Sequence, residues 1–142
     1  MKKNLYFIVL VMLLSVAPNA MANTHFSNLN WDISQNNNAT IIFRNKSDYS
    51  MVLKILYSRG GLFYTVTLSP KSSRTVSFNK SGNFKLKIKA TRYGQSSYHD
   101  GGTFSVTCNE SEWTEGEMSF QMSSYGNGLG PTISAKEFES NQ

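Results

Sequence analysis

Two histidines and one cysteine are the only side chains of this 142-residue chain that combine nucleophilic or proton-transfer chemistry with a pKa near neutrality. His25 and His99 lie 74 positions apart. His99 falls in Tyr98-His99-Asp100-Gly101-Gly102, a polar, glycine-containing stretch that reads as a flexible loop tip. A Ser-His-Asp set would need a nucleophile presented on a sharp turn, and no G-x-S-x-G motif is present. Two separated histidines make a poor metal site, and Asp100 alone makes a poor calcium site. None of the glycine runs precedes a helical pattern, so none reads as a phosphate loop. The expectation is a protein without catalysis, metal or cofactor. Cys108 alternates in phase with Phe104 and Val106 and reads as a small apolar core residue rather than a reactive thiol.

Two groups of side chains are suited to binding. Lys85, Lys87 and Lys89 alternate with Phe84, Leu86, Ile88 and Ala90, so they project from one face of a strand about 7 Å apart. Such a stripe suits a charged partner, or it guards the sheet and pairs with Glu115 and Glu117 across strands. No aromatic residue interleaves with the lysines, so a nucleic acid is not expected as a ligand. Tyr93, Tyr98, Trp113 and Tyr125 fall in loops or at strand ends. Aromatic rings there either stack on sugar rings of a glycan or cap the ends of the core.

The elements that must position these residues have period two. Apolar alternation marks strands at Ile41 to Phe43, Met51 to Tyr57, Tyr64 to Leu68, Arg74 to Phe78, Phe84 to Ala90, Phe104 to Cys108 and Met118 to Met122. Short turns such as Arg59-Gly60-Gly61, Pro70-Lys71-Ser72-Ser73 and Asn79-Lys80-Ser81-Gly82 separate them. Longer loops are expected at Gly94 to Gly102 and Asn109 to Gly116. About seven short strands with tight reversals predict an all-β, antiparallel two-sheet β-sandwich over residues 38–122. Residues 123–142, rich in Gly, Ser and Asn, read as a flexible tail with at most an edge strand near Pro131 to Phe138.

The N-terminus reads as an export signal over residues 1–22. Lys2 and Lys3 are followed by an apolar run from Leu5 to Val16, the breaker Pro18, and Ala20-Met21-Ala22, with cleavage expected before Asn23. The run is shorter than the roughly 20 residues of a membrane span. No cysteine follows it to carry a lipid. Residues 23–37 read as a linker or, from Trp31 and Ile33, an extra strand. Removing Lys2 and Lys3 from the fourteen bases leaves twelve against nine acids, about +3. Eleven of those bases lie between Arg44 and Arg92, whereas Glu110, Glu112, Glu115 and Glu117 follow in a stretch without bases. A single cysteine excludes an intrachain disulfide, although an exported protein could hold one.

The stretch from Thr40 to Met122 resembles the immunoglobulin-like and fibronectin-type-III-like sandwich domains of bacterial secreted proteins. Phe43-Arg44-Asn45-Lys46-Ser47, Leu68-Ser69-Pro70-Lys71-Ser72-Ser73 and Ser81-Gly82-Asn83-Phe84-Lys85-Leu86 carry the resemblance, as a strand end, a Pro-Ser turn and a glycine-led core strand. It implies an adhesive, structural or ligand-binding role. Two readings follow: a protein-interaction or self-associating assembly module of the periplasm or cell envelope, and a carbohydrate-binding module. A small hydrolase built on the His99 loop is the remaining reading.

Overall fold

The computed structural model describes residues 38–123 and 126–142. The export signal, the 23–37 segment, His25 and Tyr125 lie outside the described residues. Among the described residues, nine strands form in chain order: β1 Ala39–Asn45, β2 Ser50–Tyr57, β3 Leu62–Leu68, β4 Ser73–Phe78, β5 Gly82–Arg92, β6 Gln95–Val106, β7 Glu115–Phe120, β8 Met122–Ser123 and β9 Gly126–Asn127. One short helix, α1, spans Ala135–Glu139. β4, β1 and β7 make sheet A, and β3, β2, β5 and β6 make sheet B, in those orders. The two pack face to face as an all-β sandwich. All pairings within the two sheets are antiparallel except β1 with β7, which is parallel.

The alternation seen in the sequence is what fills the space between the sheets. Ile41 and Phe43 from β1, Leu53 and Ile55 from β2, and Leu86 and Ile88 from β5 are buried in one cluster. The phenylalanines give it shape. Phe43 stacks parallel to Phe120, and Phe63, Phe78, Phe84 and Phe104 meet at 5.0–6.2 Å between ring centres. Aromatic pairs at such separations add to simple burial, which helps a small domain without a disulfide.

Buried Asn45 closes the top of β1. Its amide nitrogen donates to the carbonyls of Tyr49 and Ser69, and its Oδ1 accepts from the backbone N–H and hydroxyl of Ser47. One satisfied side chain therefore ties the β1–β2 turn to the loop after β3.

Two stretches differ from the sequence reading. The expected Gly94 to Gly102 loop is the first two-thirds of β6, paired along β5. Register shifts between Lys85 and Lys87, where Gly101 and Gly102 oppose Leu86. Gly102 has a φ of 82°, and a Cβ on Gly101 would crowd Leu86 and Ile88 at 2.9–3.0 Å. The glycines thus make a bulge inside a strand, and signalled no loop. His99 is accordingly a buried strand residue and not a loop tip.

The stretch expected as a tail carries α1 and two buried side chains, Leu129 and Phe138. Asp100 N–H donates to the Pro131 carbonyl, and Ile133 N–H donates to the Tyr98 carbonyl. Residues 131–133 thus lie along the free edge of β6. Ser134 caps α1, accepting from the Glu137 N–H. The chain then crosses the outer face of sheet B and reaches the β2–β3 turn, where the Asn141 carbonyl accepts from Gly61 N–H.

Candidate functional site

The lysine stripe does project from the outer face of sheet B, as the alternation requires, but it is covered. Lys87 is 2% exposed. Its ammonium donates to the Glu137 carbonyl (2.6 Å), the Ser140 carbonyl (3.0 Å) and the Ser140 hydroxyl (3.0 Å). These are the acceptors that the end of α1 leaves free, where the helix is electronegative. Burial, reinforced by the neighbouring Lys85 charge, holds the Lys87 ammonium below its ordinary pKa. Lys54, beside it on β2, forms a salt bridge to Glu139 at 2.9 Å and lies 4.9 Å from the centre of the Phe138 ring. Lys89 lies 5.8 Å from the centre of the Tyr98 ring, and Lys85 is half-buried. The expected open basic track is therefore the floor of a groove that the C-terminal segment fills.

The acidic stretch is also engaged. β7 lies in sheet A, so Glu115 and Glu117 do not face the lysines of β5. Arg44 on β1 donates two hydrogen bonds to Glu117, at 2.7 and 3.0 Å. With Ser119 also donating, these bonds hold the Glu117 carboxyl at about 2, well below the usual carboxylate range.

The three described aromatic candidates, Tyr93, Tyr98 and Trp113, do not come together. Tyr98 sits on the outer face of sheet B and packs against Phe138, 5.4 Å between ring centres. Tyr93 occupies the β5–β6 turn at a φ of 52° and is 89% exposed, with Arg92 against its ring. Trp113, 45% exposed, lies beyond the other end of β6, which is twelve residues or roughly 40 Å long. Its indole N–H donates to Glu115, and it borders a shallow cleft of about 440 Å³ with Ser111 and Glu112. Tyr93 and Trp113 thus mark opposite ends of the molecule.

His99 bonds to the Ser97 hydroxyl at 2.9 Å and the Gly130 carbonyl at 3.3 Å. Through the Gly130 carbonyl it holds the C-terminal segment against β6. Cys108 is half-buried beyond the end of β6, in a bridge opposite Trp113. Among the described residues, no group of three acidic, histidine or cysteine side chains is placed to hold a metal ion, and no helix is long and apolar enough to cross a membrane.

The surface that sequence reasoning passed over is β3. Among the described residues it is an edge of sheet B, paired only with β2. Its seven residues, Leu62-Phe63-Tyr64-Thr65-Val66-Thr67-Leu68, include no charge and no proline. Leu62 is 43% and Tyr64 54% exposed, and half-exposed Tyr57 lies just before the turn. A cleft of about 320 Å³ separates this edge from β4 and is lined by Tyr64, Val66, Arg74 and Val76 among others. The other edges are guarded. Residues 131–133 cover β6, Glu115 and Glu117 sit on β7, and Arg74 sits on β4. The signal in the sequence was the uncharged run of eleven residues between Arg59 and Lys71, in a region otherwise dense in lysine and arginine.

Comparison with protein-family models, with curated proteins and with solved structures finds no match to this chain.

Proposed function

We propose that this protein is an exported, non-enzymatic β-sandwich of immunoglobulin-like type that works as a protein-interaction or assembly module at the bacterial cell envelope, and that β3 is its working edge. The observation that carries the reading is the contrast among the edges. Three are charged or covered, and the fourth is a bare, β-branched and aromatic strand. An open strand offers unpaired N–H and C=O groups to another chain, and natural sheets protect edges that are not used for pairing. Strand addition draws affinity from main-chain hydrogen bonds and specificity from alternating side chains. Lys54 and Lys87 of the basic region and Glu117 of the acidic stretch are engaged within the sandwich, so the lysine stripe is not an open contact surface. A glycan-binding role has one supporting feature, the exposed Trp113 beside its cleft, whose described lining holds no second ring.

The test is site-specific photo-crosslinking in cells. A photoreactive residue at Thr65 or Thr67, both exposed on β3, should yield discrete protein adducts. The same residue at Ser119, exposed on the outer face of sheet A, is the control. Adducts from the control position alone, or none from β3, would refute the reading.

A further inference from the structure

Resting on the reading of β3 as an interaction edge, we infer that its partner is the β3 strand of a second copy of this chain, paired antiparallel about a two-fold axis at Val66. The register follows from the strand itself. β3 carries a bulge at Phe63, where pairing with β2 shifts between Ile55 and Leu56. Tyr64 to Leu68 is regular, and its midpoint is Val66. Antiparallel pairing about that point sets Val66 against Val66 of the second copy, Thr65 against Thr67, and Tyr64 against Leu68.

Each of those pairs is favourable in a sheet. Thr65 and Thr67 are exposed and can exchange hydroxyl hydrogen bonds, whereas Val66 and Leu68 are already buried in each copy, so the apolar gain comes from Tyr64. Tyr64, which a single copy leaves 54% exposed, gains a neighbour. Electrostatics favour a second copy over a charged partner. The strand holds no charge, so identical copies meet there without repulsion inside the strand and without a charge for a foreign ion to satisfy. The nearest flanking charges, Arg59 and Lys71, are both basic. Antiparallel pairing brings the Arg59 end of one strand toward the Lys71 end of the other. Screening this repulsion strengthens association, so dimerisation persists or rises with salt. The pairing is isologous and closes on itself. It joins two four-stranded sheets into one of eight and removes both bare edges.

The register can be read by disulfide trapping in the purified exported protein, in a Cys108→Ser background with copper–phenanthroline as oxidant. Opposed residues in an antiparallel pair lie about 4.5–5.5 Å apart between Cα atoms, inside the roughly 7 Å that a disulfide tolerates. Thr65 of one copy lies roughly 8 Å from Thr65 of the other, and the same holds for Thr67. A mixture of Thr65→Cys and Thr67→Cys proteins should therefore give at least about tenfold more cross-linked dimer than either protein alone. Both substitutions are at exposed positions, and circular dichroism of each variant is the check that it folds. Equal trapping in all three samples would overturn the Val66 register. A wild type that sediments as a monomer at every concentration and salt would overturn the second-copy proposal. If Thr65 then still crosslinks in cells to a different protein, the assembly reading survives with a foreign strand as partner. If it crosslinks to nothing, both fall.

Discussion

Glu117 and Lys87 are charges placed in opposite settings, one on the surface and one buried. Glu117 is on the surface, and its bonds from Arg44 tie β7 to β1 across the parallel pair of sheet A. A carboxylate depressed from 4.5 to about 2 contributes stability that is present above pH 4.5 and lost as pH falls towards 2. The expected outcome is a melting temperature that declines through that window in the wild type and declines less steeply in Glu117→Gln. Melting curves taken from pH 5 to pH 2 check it, and parallel slopes for the two proteins would dissociate Glu117 from acid sensitivity. Because the pair is exposed, the effect is modest and is screened by salt. Lys87, by contrast, is a buried cation whose three protein acceptors all come from the C-terminal segment. From the sequence, its alternation with Leu86 and Ile88 gave the right face of the strand. What lay over that face was invisible, because the covering residues are fifty positions away and mostly polar.

At the scale of elements, α1 is five residues long, too short to be stable by itself. It persists because Phe138 is buried against Tyr98 and because Lys54 and Lys87 meet its end. Gly130, at a φ of 97°, passes so close to Asp100 that any side chain there would collide with its carbonyl. Phe138→Ala should release the segment: amide hydrogen exchange at residues 132–141 is expected to rise steeply while the strands β1, β2 and β5 keep their protection. Loss of protection throughout would mean that the segment is part of the cooperative core. The element record of the sequence follows the same logic. Strands with clean alternation, such as β5, β2 and β4, were legible because periodicity reports burial directly. The first part of β6 was not, since its Ser, His and Gly residues acquire strand geometry from pairing with β5 and not from their own preference. β3 was legible as a strand, but its position at a sheet edge depends on topology, which local pattern does not encode.

At the scale of the whole sandwich, the described residues enclose an aromatic core, cover one outer face with the C-terminal segment and leave one long edge bare. Part of the charge that stood out in the sequence is engaged internally: Arg44 with Glu117, Lys54 with Glu139, and Lys87 with the carbonyls ending α1. Association through β3 is therefore expected to be driven by main-chain pairing and apolar contact. The most direct measurement is backbone hydrogen exchange on the protein, dilute and then concentrated to the associated state. Strand addition protects the amides of β3 that point away from β2, so slowed exchange should be confined to Tyr64 to Leu68. Slowed exchange centred instead on the Trp113 loop or on sheet A, or none at β3 despite association, would contradict the account.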